Sequence, residues 1–138
     1  MSFSLNEYLS DLKTLCAIDS GHFNAAGTEA MADFFESRYR ALGLNTERRH
    51  YENNDFAPFL LVENGAPDQT IDFLMVAHMD TVFPVGEGAA RPFAVDENGI
   101  GHGPGCIDCK GGALLIDCGA NVECTPEYLM QFAYMADF

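Results

Sequence analysis

Basic residues are scarce in this sequence, and their scarcity argues against one class of partner. Seven Lys and Arg stand against 21 Asp and Glu, which gives a formal net charge of −14 at pH 7. Proteins that bind nucleic acid neutralise its phosphates with clustered Lys and Arg. We therefore expect no nucleic-acid partner, and an acidic surface of this kind commonly serves solubility.

Long apolar runs and a basic leader are also missing. No stretch has the length of about 20 apolar residues that crosses a bilayer, so we expect no membrane partner. The opening Met1–Glu7 has no basic region followed by an apolar stretch, so we expect no signal peptide. The five cysteines are an odd number, which, without an export signal, favours reduced thiols and a cytoplasmic location.

The length and the periodicity of the chain predict one domain that contains helices and strands. One domain is typical of 138 residues. Apolar residues at helical spacing predict a helix over residues 4–17, and a second helix with Thr28 as its N-cap that stops at Gly43. Short strands are expected over residues 45–51 and 59–62.

A third strand is expected over Ile71–Ala77, which is nearly continuous in apolar residues, as in a strand buried on both faces. The Asn98-Gly99 pair predicts a tight hairpin turn between Phe93–Val95 and Ile100. Helices followed by strands predict an α/β fold, in which flanking helices cover a layered sheet.

The end of the chain has its own pattern of local signals. Residues 113–116 are predicted to form a strand, although propensity alone does not decide between strand and helix there. The turn-forming residues that follow predict a break near 117–124. A Thr-Pro-Glu sequence then predicts the start of a helix over about 126–136.

Two short motifs contain residues that are suited to chemistry. His78 and Asp80 follow the predicted strand directly, at the carboxyl end where open α/β sheets bind ligands. A carboxylate near a His is common at metal sites because it fixes the orientation of the ring. Alone, the motif is weak evidence for a metal site, because a polar strand end with a local hydrogen bond is the more common explanation.

The second motif is the glycine-rich segment Gly103–Gly112, which contains a single Asp, Asp108, and a single Lys, Lys110. Glycines allow the backbone to approach closely and to turn a carboxylate inward. Alone, this segment is better explained as a flexible surface loop.

Together the motifs resemble the zinc-dependent family of glutamate carboxypeptidases, aminoacylases and succinyl-diaminopimelate desuccinylases. The resemblance covers about residues 5–112 and includes the Asp-Ser-Gly loop at Asp19–Gly21. It implies the N-terminal part of a di-zinc peptidase catalytic domain. It also implies hydrolysis of an amide bond in a small peptide or an acyl-amino acid.

The resemblance assigns a role to five residues. His78 would ligate one zinc ion, and Asp108 would bridge two. Asp80 would orient His78 and support the catalytic centre. Gly105 and Gly111 would shape the loop around Asp108. Two zinc ions would lower the pKa of a bridging water and polarise the substrate carbonyl.

The family's remaining site residues have no counterpart in these 138 residues. The family's general base is a Glu in a Glu-Glu pair beyond the glycine loop, and its last ligand is a distant His. The sequence has no Glu-Glu pair and no His after His102. Because each zinc takes about four ligands, we expect an incomplete site that is inactive alone. We interpret His22, His50 and His102 as surface or loop histidines.

Residues 113–138 resemble a segment of bacterial phosphate acyltransferases. The resemblance rests on a Gly-Ala-Asn turn at Gly119–Asn121 and on the helix start at Pro126-Glu127. Residues 1–112 would then be a partial metallopeptidase domain and residues 113–138 a tail of different origin. This interpretation places a junction between two unrelated sequences near Gly112. The alternatives are a chance similarity of the tail and a divergent hydrolase without a junction.

The cysteines offer an alternative metal site. Cys106 and Cys109 have the spacing of a zinc knuckle, and Cys118 and Cys124 would complete four thiolates in a structural zinc module without catalysis. The spacing of the second pair is loose for a zinc site, so the favoured interpretation is that Cys106 and Cys109 are small apolar residues that fill space beside Asp108.

Overall fold

The computed structural model describes residues 4–50, 58–64 and 74–120, and for residues 115–120 it describes the backbone alone. Helix α1 spans Leu5–Ala17, and the Ser4 side chain caps it by accepting a hydrogen bond from the Glu7 amide at 3.4 Å. The predicted first helix is therefore confirmed. No helix in the described ranges is both long and apolar enough to cross a membrane.

Helix α2 spans Ala25–Ala41, so it begins before the predicted start. The Asn24 side chain caps it by accepting from the Gly27 amide at 3.3 Å. The prediction of Thr28 as N-cap is wrong because the chain is already helical there. The Thr28 hydroxyl donates instead to the Ala25 carbonyl at 3.0 Å, within the helix.

Two antiparallel hairpins follow, each a separate two-stranded sheet. Strand β1, Asn45–Arg49, pairs with β2, Phe59–Glu63. The two predicted strands are therefore confirmed, except that the first ends at Arg49, and residue 51 lies outside the described ranges. After the short helix α3, Glu87–Ala90, strand β3, Ala94–Val95, pairs with β4, Gly101–His102. This second hairpin confirms the turn predicted at Asn98-Gly99.

The described part of the predicted third strand is not a strand. Residues 74–77 have no strand partner among the described residues, and Leu74 and Val76 are 78% and 79% exposed. The prediction of a buried strand is wrong for them, and residues 71–73 lie outside the described ranges. An apolar run is buried only where neighbouring strands and a covering layer exist. The mixture of helices and strands agrees with the α/β class, but the described sheets are small hairpins.

Helix α4 spans Cys109–Ala120. The predicted strand over 113–116 is therefore wrong, as is the predicted break for residues 117–120. Burial of Ala113 and Leu114 against the other helices outweighs the cost of Gly119 in a helix, about 1 kcal/mol. The helix predicted over 126–136 lies outside the described residues. A different origin for residues 113–138 stays a prediction.

The core is formed where α1, α2 and α4 pack together. Its apolar side chains interdigitate and exclude water, which is the main favourable contribution to folding. The buried members of this cluster are Leu12, Leu15, Cys16, Met31, Phe35, Ala113 and Leu114.

Ion pairs attach the first hairpin to α2. The guanidinium of Arg48 on β1 contacts three carboxylates of α2, those of Glu29, Asp33 and Glu36. Burial lowers and the carboxylates raise the pKa of Arg48, with a net rise. The hairpin thus has a fixed position beside the helical core.

We expect Leu15→Ala to destabilise the chain by about 2–5 kcal/mol, because Leu15 is fully buried and its loss leaves a cavity. The control is Leu5→Ala in the same helix, where a side chain that is 59% exposed should change stability by less than about 0.5 kcal/mol. Urea denaturation followed by circular dichroism measures both. Equal effects of the two substitutions would contradict the described core.

Candidate metal centre

The structure brings together the three side chains that the sequence singled out. His78 Nε2 lies 3.4 Å from Asp108 Oδ1. On the other side of the ring, His78 Nδ1 lies 3.0 Å from the Asp80 carbonyl oxygen and 3.2 Å from Asp80 Oδ1. Asp80 therefore holds the ring, and Nε2 faces Asp108.

The distance between His78 and Asp108 fits two ligands of one metal ion. Zinc takes nitrogen and oxygen ligands at about 2.0–2.2 Å in a tetrahedron, which places two donor atoms roughly 3.3–3.6 Å apart. The 3.4 Å separation lies in this range. Both side chains are more than half exposed, at 55% and 60%, so an ion and a small ligand can reach them from solvent.

The segment with His78 and Asp80 is held by the loop that follows α1. The Thr81 amide donates to the Ser20 carbonyl at 2.8 Å, and the His22 amide donates to the Thr81 carbonyl at 2.9 Å. These bonds form a parallel bridge between Gly21 and Thr81. A side chain at Gly21 would overlap the Phe83 carbonyl oxygen, so the close approach requires glycine.

The same loop brings His22 to the site. Its Nδ1 lies 3.6 Å from Asp80 Oδ2, so Asp80 contacts two histidines. His22 is 54% exposed, as expected for a loop histidine, but its contact with Asp80 could not be inferred from the sequence. His50 and His102 are exposed and pair with Glu29 and Asp96, away from this site.

Asp19 fixes the loop from its other end. Its carboxylate accepts hydrogen bonds from the Gly86 amide at 2.6 Å and the Gly88 amide at 2.9 Å. These backbone donors, led by Gly88, lower the pKa of Asp19. Asp19 therefore ties the chain beyond Thr81 to the loop that follows α1.

Glycines give the loop before α4 its shape. Gly105 has φ of 74°, the left-handed conformation that other residues rarely adopt. A side chain at Gly111 would overlap the Cys106 carbonyl oxygen. Both glycines therefore lie in positions of the Asp108 loop that a larger residue would strain or crowd.

Lys110 attaches this loop to α1. It is 1% exposed, and its Nζ donates to the Ile18 carbonyl oxygen at 2.7 Å. Burial lowers the pKa of Lys110, while the neighbouring Cys16, Cys109 and Asp19 act in the opposite direction. Lys110 points into the protein and not toward the carboxylate of Asp108, so its role is to position the loop.

Three cysteines are described with their side chains, and all three are free thiols. Burial raises the pKa of Cys109 to about 12 and that of Cys16 to about 11, and it also raises the pKa of Cys106. Of these three cysteines, Cys109 lies nearest the candidate centre. Its Sγ and donor atoms of His78 and Asp108 all lie within 4.8 Å of one another. The side chains of Cys118 and Cys124 lie outside the described residues, so the four-cysteine module stays a prediction.

Gly111 and Gly112 are neighbours with different surroundings, which makes them a matched pair. We expect Gly111→Ala to destabilise the chain by about 1–3 kcal/mol, because the added methyl group overlaps the Cys106 carbonyl. Gly112→Ala meets no atom within 4 Å and should stabilise helix α4 by up to about 1 kcal/mol. Thermal unfolding compares the two, and a neutral Gly111→Ala would show that the loop is not packed as described.

The part of the chain that forms this centre is also the part that matches a known protein family. Residues 74–118 match the sequence model of the peptidase family M20/M25/M40. No curated protein matches the chain. The resemblance of the tail to phosphate acyltransferases gains no support and stays a prediction. The matched range contains His78, Asp80 and Asp108, so the part of the chain that builds the candidate centre is similar to a family of peptidases that are generally metal-dependent.

Proposed function

We propose that the protein binds zinc through His78 and Asp108, and that this site belongs to a hydrolase that cleaves an amide bond. One observation carries the proposal: His78 Nε2 and Asp108 Oδ1 lie 3.4 Å apart, the separation of two ligands on one tetrahedral ion. The family match over residues 74–118 supports it independently, since it points to a hydrolase.

His78 and Asp108 would hold the ion, and a bound zinc would supply an activated water and polarise a substrate carbonyl. The protein supplies the orientation. Asp80 holds Nδ1 of His78, which leaves Nε2 as the ligating atom. The Gly21–Thr81 bridge and the buried Lys110 hold the two segments of the site against the end of α1.

The substrate class follows from the resemblance and from access. We infer a small peptide or an N-acyl-amino acid, cleaved in the manner of a carboxypeptidase or an aminoacylase. His78 and Asp108 are exposed enough for such a molecule to approach them directly.

We expect the chain to bind zinc in a manner that depends on His78 and Asp108. Alanine at either position should abolish binding, because each removes a donor atom. Asp80→Asn should weaken it by about 10–100-fold, the range for residues that orient a ligand. Calorimetric titration of the metal-free protein, with elemental analysis of the loaded protein, measures both effects.

The matched control for that titration is His102→Ala, which removes an exposed histidine outside the centre and should leave binding unchanged. Zinc that survives His78→Ala and Asp108→Ala but is lost in Cys106→Ser would contradict the proposal. That result would favour the module of four cysteines.

We expect little amidase activity from these 138 residues alone, because they contain no Glu-Glu pair to supply the general base. General-base catalysis contributes typically about 10²–10⁴-fold. Release of the amino acid from an acyl-amino acid measures the activity. Robust zinc-dependent hydrolysis that is abolished by His78→Ala would show that another carboxylate has taken the role of the base.

A further inference from the structure

The proposed centre has a third candidate donor that the resemblance does not assign. Cys109 is adjacent in sequence to Asp108 and begins helix α4. Its Sγ belongs to a group with donor atoms of His78 and Asp108, all within 4.8 Å of one another. The sequence alone favoured apolar filling for this cysteine, and the structure shows that its sulfur approaches His78 and Asp108.

The Cys109 sulfur is buried, and it lies close to the exposed His78–Asp108 pair. Cys109 is 2% exposed, and its Sγ lies 3.2 Å from the position that a Cβ on Gly105 would occupy. The same position is 3.0 Å from Thr81 Cγ2. The sulfur and the Thr81 methyl group therefore both lie close to Gly105, and Thr81 directly follows the segment that carries His78 and Asp80.

We propose that the thiolate of Cys109 is the third ligand of a single metal ion held by His78 and Asp108. The proposal rests on the proposed function, because it adds a ligand to the same site. One nitrogen, one oxygen and one sulfur donor leave the fourth position of a tetrahedron open, which is the pattern of catalytic zinc. When the metal–sulfur bond forms, the S–H bond breaks and its proton passes to solvent.

The geometry requires only a small adjustment. Donor atoms on one tetrahedral zinc lie roughly 3.3–3.8 Å apart, since zinc–sulfur distances are about 2.3 Å. The widest separation within the group is no more than 4.8 Å, so a contraction of about 1 Å completes the site. The side chains of His78 and Asp108 are more than half exposed and can turn toward the buried sulfur.

A sulfur ligand also changes which metals the site accepts. Thiolates favour zinc, cadmium and cobalt over magnesium and manganese, which prefer oxygen ligands. Cys106, three residues earlier, provides the internal comparison. Its Sγ contacts the Gly101 carbonyl oxygen at 3.6 Å and is not part of the group around His78.

Cobalt(II) is the probe, because a bound thiolate gives a thiolate-to-cobalt charge-transfer band in the near ultraviolet. We expect the metal-free chain to bind one cobalt ion with this band. Cys109→Ala should lose the band and weaken binding by at least roughly 10–100-fold. Cys106→Ala, the matched control, should keep both, and His78→Ala should lose both.

Three other outcomes of the cobalt experiment would contradict the role proposed for Cys109. Cobalt that binds through His78 without a charge-transfer band in the wild-type chain overturns the role of Cys109 and leaves the proposed function intact. Absence of any binding overturns both. A band that depends on Cys106 and not on Cys109 favours the four-cysteine module. The wild-type spectrum tests for a thiolate ligand even if a cysteine variant fails to fold, and Cys109→Ser provides a second variant close in size.

Discussion

The backbone bridge between Gly21 and Thr81 is the contact on which the candidate centre depends. Residues 74–80 are in no strand pair within the described part of the chain, so His78 and Asp80 are positioned through Thr81. The end of α1 also receives the hydrogen bond from Lys110, which holds the loop of Asp108. Both halves of the centre are therefore fixed against the same short stretch, the end of α1 and the loop after it.

Local signals in the sequence predicted the features that local interactions determine. The spacing of apolar residues predicted α1, and Asn98-Gly99 predicted the second hairpin, because each depends on residues a few positions apart. The motif residues His78 and Asp108 were also found from the sequence. The family resemblance implied that the two side chains meet, and the glycine-rich loop permits the close approach.

The predictions that were wrong concern features that depend on contacts between residues distant in sequence. Leu114 lies in a run with the composition of a strand, yet it is helical because α1 and α2 offer it a buried position. Leu74 and Val76 have the composition of a buried strand, yet they are exposed because no described element covers them. The contacts of His22 with Asp80 and of Cys109 with the centre join positions distant in sequence, so no local pattern indicates them.

The crowded position at Gly21 has a consequence for recognising related sequences. Any residue other than glycine would overlap the Phe83 carbonyl oxygen, so a chain that builds the centre by this route must keep glycine there. This marker lies well before residue 74, where the family match begins. A search that requires this glycine together with the His-x-Asp motif would separate chains able to form the same bridge from chains that contain His-x-Asp by chance.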